Sequence, residues 1–252
     1  MRVHAFTCGW LTGPAGLFLA GAEGRLRVPV PVFLIDHPKG RVVFDTGLHV
    51  ALQSDPKRWL GDLATVFRVD YAPGEDVAAR LKGLGVDSAR VDLLVLSHLH
   101  FDHAGGVAAL PNARIVVQRR EWEAGRDPDL AKKNYFDPRD FDHGHDRLLV
   151  DGEHDVFGDG RVVCVPTHGH TPGHQSLRLR LDDGRDVLLA ADACYLRRSL
   201  DELLLPGLPW DADAMLAVLR RFRALRDAGV RIVYGHDPDD WATVPQAPTP
   251  LG

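Results

Sequence analysis

VDLLVLSHLHFDHAGG occupies residues 91 to 106. Its first part, Val91 to Leu96, is an apolar run of strand length, and it passes directly into Ser97 and the pattern HxHxDH formed by His98, His100, Asp102 and His103. Alternate residues of an extended segment project to the same side, so His98 and His100 can converge on one ion while Asp102 and His103 face a second. A loop held by a rigid strand is a common place to build such a site.

Three later positions repeat the arrangement. His170 lies in THGHTPGH (167 to 174), Asp192 ends the run DVLLAA, and His236 lies in YGHD (234 to 237). Each comes after a segment that reads as a strand: 161 to 165, 186 to 191 and 230 to 234. Strand ends at one sheet rim can focus ligands on a point, whereas histidines scattered along exposed helices cannot. The chain has 13 histidines, and this subset clusters by position in a way that one metal centre explains jointly.

Around these motifs the pattern is that of sheets covered by helices. Residues 28 to 35 and 41 to 45 read as a hairpin feeding Asp45-Thr46-Gly47, and Asp76 caps a helix that runs to Gly83. A short helix, 104 to 110, precedes a strand at 114 to 118. The stretch 123 to 147 reads as a long surface loop or lid, with Trp122 before it. Strands at 175 to 181 and 186 to 191 follow, then a helix from Asp211 to Ala228 whose Met215, Leu216, Leu219, Phe222 and Leu225 are spaced for core packing. No Ser/Gly-rich tether divides the chain, so residues 1 to 252 are expected to form a single domain.

Composition narrows the function. A chain of 252 residues that is 45% apolar can bury a full core, and a net charge of −5 argues against a partner held by phosphate neutralisation, so no nucleic acid is expected. Cys8, Cys164 and Cys194 are too dispersed for a thiolate metal knuckle or a disulfide framework. Residues 3 to 22 superficially imitate a secretion signal, but His4, Thr7, Gly9, Thr12, Gly13 and Pro14 interrupt them. A cytoplasmic protein without a membrane span is expected. The oligomeric state stays open, a homodimer included.

Four motifs together, HLHFDHAGG (98 to 106), GHTPGHQS (169 to 176), ADACY (191 to 195) and GHD (235 to 237), resemble the metallo-β-lactamase superfamily and, within it, the N-acyl-homoserine lactonase branch. With Asp45-Thr46-Gly47 and VPVFLIDHPKG, the resemblance covers nearly the whole chain. It implies an α/β fold: a four-layer αβ/βα sandwich of two mixed β-sheets flanked by helices. It further implies that His98, His100 and His170 hold one ion and that Asp102, His103 and His236 hold another, with Asp192 bridging both. Two divalent ions are expected, zinc first, with iron, cobalt or manganese also suited to such donors. His168 and His174 match no ligand position and are assigned supporting or turn roles, and Asp45 is read as orienting a loop of the site.

The resemblance also implies hydrolysis of a small-molecule lactone by hydroxide generated between the ions, a quorum-quenching activity. Asp102 is then a proton shuttle, Tyr195 a hydrogen-bond donor to the substrate and Phe101 a wall of the substrate pocket. Leu11, Leu17, Phe18 and Leu19 offer an apolar run for an acyl chain, in competition with the 123 to 147 segment. Other hydrolases of this fold, acting on different lactones, thioesters or phosphotriesters, form the alternative, and a non-catalytic metal-binding protein is a more distant one. A β-lactamase with a cysteine ligand would need Cys where Asp192 stands, and Cys194 is displaced from it. A di-iron flavoprotein would need a carboxylate at His100.

Overall fold

Alternating strand faces, not strand length, organise this molecule. In the computed structural model, which describes residues 1–251, seven strands form the first sheet: β1 (Arg2–Pro14), β2 (Arg25–His37), β3 (Gly40–Phe44), β4 (Arg68–Asp70), β5 (Leu93–Val95), β6 (Arg114–Gln118) and β7 (Arg147–Val150). Their order is β4-β1-β2-β3-β5-β6-β7, antiparallel from β4 to β3 and parallel from β3 to β7. The second sheet comprises β8 (His154–Asp155), β9 (Val162–Pro166), β10 (Gln175–Arg180), β11 (Asp186–Leu189) and β12 (Arg231–Val233). Its order is β12-β11-β10-β9-β8, with β11 and β12 parallel and the other pairs antiparallel.

Because successive side chains of a strand point to opposite faces, each strand feeds two cores. Val42, Phe44, Val95 and Val116 of the first sheet meet Val162, Leu177, Leu179 and Leu189 of the second in the layer between them. Val43, Leu94, Ile115 and Val117 point the other way, under helices that contribute Val77, Leu81, Trp122 and Phe141. Beyond the second sheet, Leu188 and Ile232 pack against Leu219 and Phe222 of the helix Ala212–Asp227, whose cap Asp211 accepts from the Ala214 N–H. Four layers result, helix, sheet, sheet, helix, which is the expected sandwich. Each fully buried side chain of this size contributes about 1.5–3 kcal/mol.

Two segments, 123 to 147 and 104 to 110, differ from their sequence reading. The stretch 123 to 147 is not a loop: the helices Arg119–Arg126, Pro128–Lys133 and Pro138–Phe141 occupy most of it. Its two Asp-Pro pairs are helix starts. The Asp127 and Asp137 carboxylates accept backbone N–H groups of the first turn, and each proline stands where an N–H would have no helical partner anyway. Phe136 and Phe141 are buried and bind the segment to the sheet. Residues 2 to 14 form the long strand β1 along β2. The helix expected at 104 to 110 is split into a turn at Phe101–Ala104 and a 3-10 turn at Val107–Ala109. Among the described residues no helix is long and apolar enough to cross a membrane.

Phe222 is fully enclosed, so Phe222→Ala is expected to cost about 3–5 kcal/mol. Urea unfolding should show a lower midpoint with an unchanged slope.

Candidate metal centre

Strand ends deliver the site. His98 follows β5, His170 follows β9, Asp192 follows β11 and His236 follows β12, so carboxyl ends from both sheets meet at one rim. Asp45, just past β3, anchors the first of these loops from a left-handed backbone conformation (φ 57°). Its Oδ1 accepts the Ser97 N–H at 2.7 Å, while its Oδ2 accepts the Ser97 hydroxyl at 2.8 Å and His103 Nδ1 at 2.9 Å. That is the orienting role expected of it.

Hydrogen bonds also fix which ring nitrogen stays free. His98 Nδ1 lies 2.9 Å from Ser97 Oγ, whose proton is committed to Asp45, so the imidazole donates and its Nε2 keeps a lone pair. His103 does the same through Asp45, and His236 through the Pro29 carbonyl at 2.8 Å. His100 is turned around: its Nε2 donates to the Asn134 carbonyl at 2.7 Å, which leaves Nδ1 free. Such outer partners set tautomer and ring direction in metal sites.

The free nitrogens collect into two groups. His98 Nε2, His100 Nδ1 and His170 Nε2 stand 2.9, 3.0 and 3.2 Å from one another. Three lone pairs at this spacing repel unless a cation lies among them, and tetrahedral nitrogen ligands at zinc-like bond lengths would stand ~3.3 Å apart. Asp102, His103 and His236 form the second group, with Asp102 Oδ2 3.8 Å from His103 Nε2 and 3.6 Å from His236 Nε2. Asp192 faces both. Its Oδ2 is 3.2 Å from His170 Nε2, and its Oδ1 is 3.1 Å from His103 Nε2 and from His236 Nε2. Despite that distance, His103 Nε2 and Asp192 Oδ1 are buried and misaligned for a hydrogen bond, the signature of atoms awaiting another partner. The donor set of imidazole nitrogen and carboxylate oxygen fits two divalent transition-metal ions.

Electrostatics divide the two groups. Burial holds His98, His100 and His170 below the ordinary imidazole range, hence neutral and able to coordinate. At His103 and His236 burial is outweighed by the nearby carboxylates, Asp192 foremost, and both rings are pushed up. Burial opposes ionisation of Asp192 as well, but His103, His236 and His170 hold its carboxyl well below the usual range.

A model of the metallo-beta-lactamase superfamily matches residues 25–236. The chain belongs to this superfamily. Within it, the chain lies in the branch of the N-acyl homoserine lactonases: it is 37% identical over 234 residues to the N-acyl homoserine lactonase AttM of Azorhizobium caulinodans, covering 90% of this chain and 89% of the relative. The AttM of Agrobacterium fabrum is 38% identical over 236 residues, with the same coverage. A solved N-acyl homoserine lactone hydrolase carrying N-hexanoyl-L-homoserine at its catalytic metal centre superposes with a TM-score of 0.88 at 24% identity, covering 99% of this chain and 98% of its own. Superfamily fold and donor set together imply divalent metal ions at a two-ion site.

The remaining expected residues sort clearly. Tyr195 places its hydroxyl 3.2 Å from His170 Nδ1, and Phe101 joins it in an apolar cluster with Leu11 and Phe18 beside the centre. Trp122 belongs instead to the cluster under the first sheet. His174 Nε2 accepts the Asp192 N–H at 3.1 Å, so it supports Asp192, whereas His168 lies outside both groups. Cys194 is a buried free thiol outside both groups. Sequence reading missed the Asn134 carbonyl, which any residue type would supply. It also missed Asp140, only 1% exposed, whose Oδ1 accepts Trp59 Nε1 at 3.0 Å.

Two expected outcomes follow from these contacts. Asp45→Asn removes the acceptor that fixes His103, and dialysis against a chelator should show metal held about 10–100-fold more weakly. Burial, aided by the charges of Asp137 and Asp102, pushes Asp140 up to about 7 against the pull of the Trp59 hydrogen bond. The folded chain then holds that proton more tightly than the unfolded one, and the carboxylate costs stability as pH rises from about 4 to about 7. Asp140→Asn keeps the indole acceptor without the charge. Its unfolding free energy relative to wild type should climb through this window and level off above it, as read by urea titrations of metal-free protein.

Proposed function

We propose that this protein opens the lactone ring of N-acyl-homoserine lactones, a quorum-quenching hydrolysis, with His98, His100 and His170 holding one zinc ion, Asp102, His103 and His236 another, and Asp192 shared between them. The observation that carries this reading is Asp192, one carboxylate with an oxygen toward each imidazole group. The lactonase names of relatives at 37% and 38% identity supply the substrate class.

Bound there, two divalent cations supply Lewis acidity toward an ester carbonyl and make hydroxide available near neutral pH. The rest is the work of side chains. Attack on the ring carbonyl builds negative charge on its oxygen, and collapse breaks the ring C–O bond. Tyr195 is suited to meet that charge. Burial, then the Asp192 and Asp102 charges, raise its phenol well above the ordinary range, so it stays protonated and can donate. Asp102, the more accessible of the two site carboxylates, takes the proton released by the attacking water and returns it to the departing ring oxygen. The products are an alcohol and a carboxylic acid, which releases one proton at neutral pH.

Phe101, Phe18 and Phe67 give the substrate an apolar side, with ring centroids 6.0 Å apart for Phe67 and Phe101 and 6.4 Å for Phe18 and Phe67. Such a wall excludes water from the reacting ester and suits an acyl chain. We further read the chain as one domain, since the layer between the sheets draws on strands of both halves, and as cytoplasmic, since its three cysteines are free.

The test is acid release from N-acyl-homoserine lactones of graded acyl length, with metal analysis of the same sample. One proton per lactone and two zinc ions per chain are expected. Tyr195→Phe should lower kcat by about 100-fold with little change in KM. Protein that retains two ions yet opens no such lactone would refute the substrate assignment.

A further inference from the structure

The helix Arg119–Arg126 carries a carboxylate that belongs to neither ligand group. Glu121 is wholly buried, and its oxygens accept three hydrogen bonds: Oε1 from the Leu99 N–H at 3.2 Å, Oε2 from the Thr171 hydroxyl at 2.9 Å and from the Gly173 N–H at 2.7 Å. Leu99 sits between His98 and His100, and Thr171 follows His170. One side chain therefore clasps the two loops, one from each sheet, that carry the first imidazole trio. Gln175 also ties the sheets together, through Ser97 and Leu96, but upstream of the ligands. The approach at Glu121 is tight: a Cβ added at Gly173 would lie 2.2 Å from the Glu121 backbone nitrogen, so position 173 must be glycine.

We propose that Glu121 is a positioning residue for the His98, His100 and His170 trio, setting the spacing of its nitrogens before a cation arrives. The inference rests on the reading that this trio holds a metal ion. A carboxylate is the right group for the task, because it accepts several hydrogen bonds and offers no donor of its own. A glutamine of the same shape would turn an amide N–H toward at least one of the three donors. Outer groups of this kind commonly govern metal affinity without touching the ion.

The experiment is competition for zinc(II) against a chromophoric chelator at pH 8. Burial pushes Glu121 up to about 7, so the carboxyl is ionised there. Wild type should yield two dissociation constants, and His170→Ala identifies the one that belongs to the trio. Glu121→Gln is expected to weaken that constant by about 10–100-fold and leave the other nearly unchanged, and to add little further loss on top of His170→Ala. Phe222→Ala, destabilised in a core that contains neither Glu121 nor any of the imidazoles, should leave both constants as in wild type. If Glu121→Gln does not fold, Thr171→Val removes one of the three donors while keeping the shape, and it should weaken the same constant severalfold.

Unchanged constants in a folded Glu121→Gln protein, or in Thr171→Val, overturn the proposal and leave the lactonase reading standing. Equal weakening of both constants, matched by Phe222→Ala, overturns it too by reducing Glu121 to a support of the fold. A wild type that takes up no zinc overturns the reading of the trio itself, a separate result.

Discussion

Four buried imidazoles, the half-buried His100 and two buried carboxylates meet at one rim of this sandwich, and gathering that much polarity is costly unless each lone pair and charge meets an opposite. Asp192 is where the balance is struck. Its two oxygens look toward different imidazole groups, its N–H is held by His174, and the loop that carries it leaves β11 beside β12. The sheet registers, the tight glycine approaches and the anchoring of Ser97 by Asp45 all serve to bring other groups to this one carboxylate. A shift of a strand by one residue would turn its side chains to the opposite face and take its histidine or aspartate away from the rim.

Much of this was legible because chemistry and patterning coincide in the sequence. HxHxDH follows an apolar strand, and the later ligands follow strands too, so the residues that the structure brings together could be named without coordinates. The four layers were legible through the resemblance, and the structure adds that neighbours such as Val42, Val43 and Phe44 enter different cores. What stayed hidden has physical reasons. The helices of 123 to 147 begin at Asp-Pro pairs, which serve equally as loop breaks and as helix starts, and only burial of Phe136 and Phe141 decides between them. The Asn134 carbonyl carries no side-chain signature. Glu121 sits on a helix among charged residues, RREWE, and reads as a solvated face until its three donors are seen.

The apolar side of the rim shows how economically fold and site share residues. Phe18 contacts Phe67, Tyr195 and His236 edge-on, and Tyr195 stacks on His236 with centroids 5.4 Å apart. The same rings that close the sandwich thus line the approach to the polar centre. Packing at this density transmits small changes, so substitutions that reshape the wall will also move Tyr195.

The contact between His236 and the Pro29 carbonyl joins positions 207 residues apart. Contacts of such separation in sequence form slowly, since a long loop must close before they return anything. During synthesis the polypeptide must grow past residue 236 before this rim can be completed, so early in its life on the ribosome the chain has the imidazoles of one trio but not the enclosure around them.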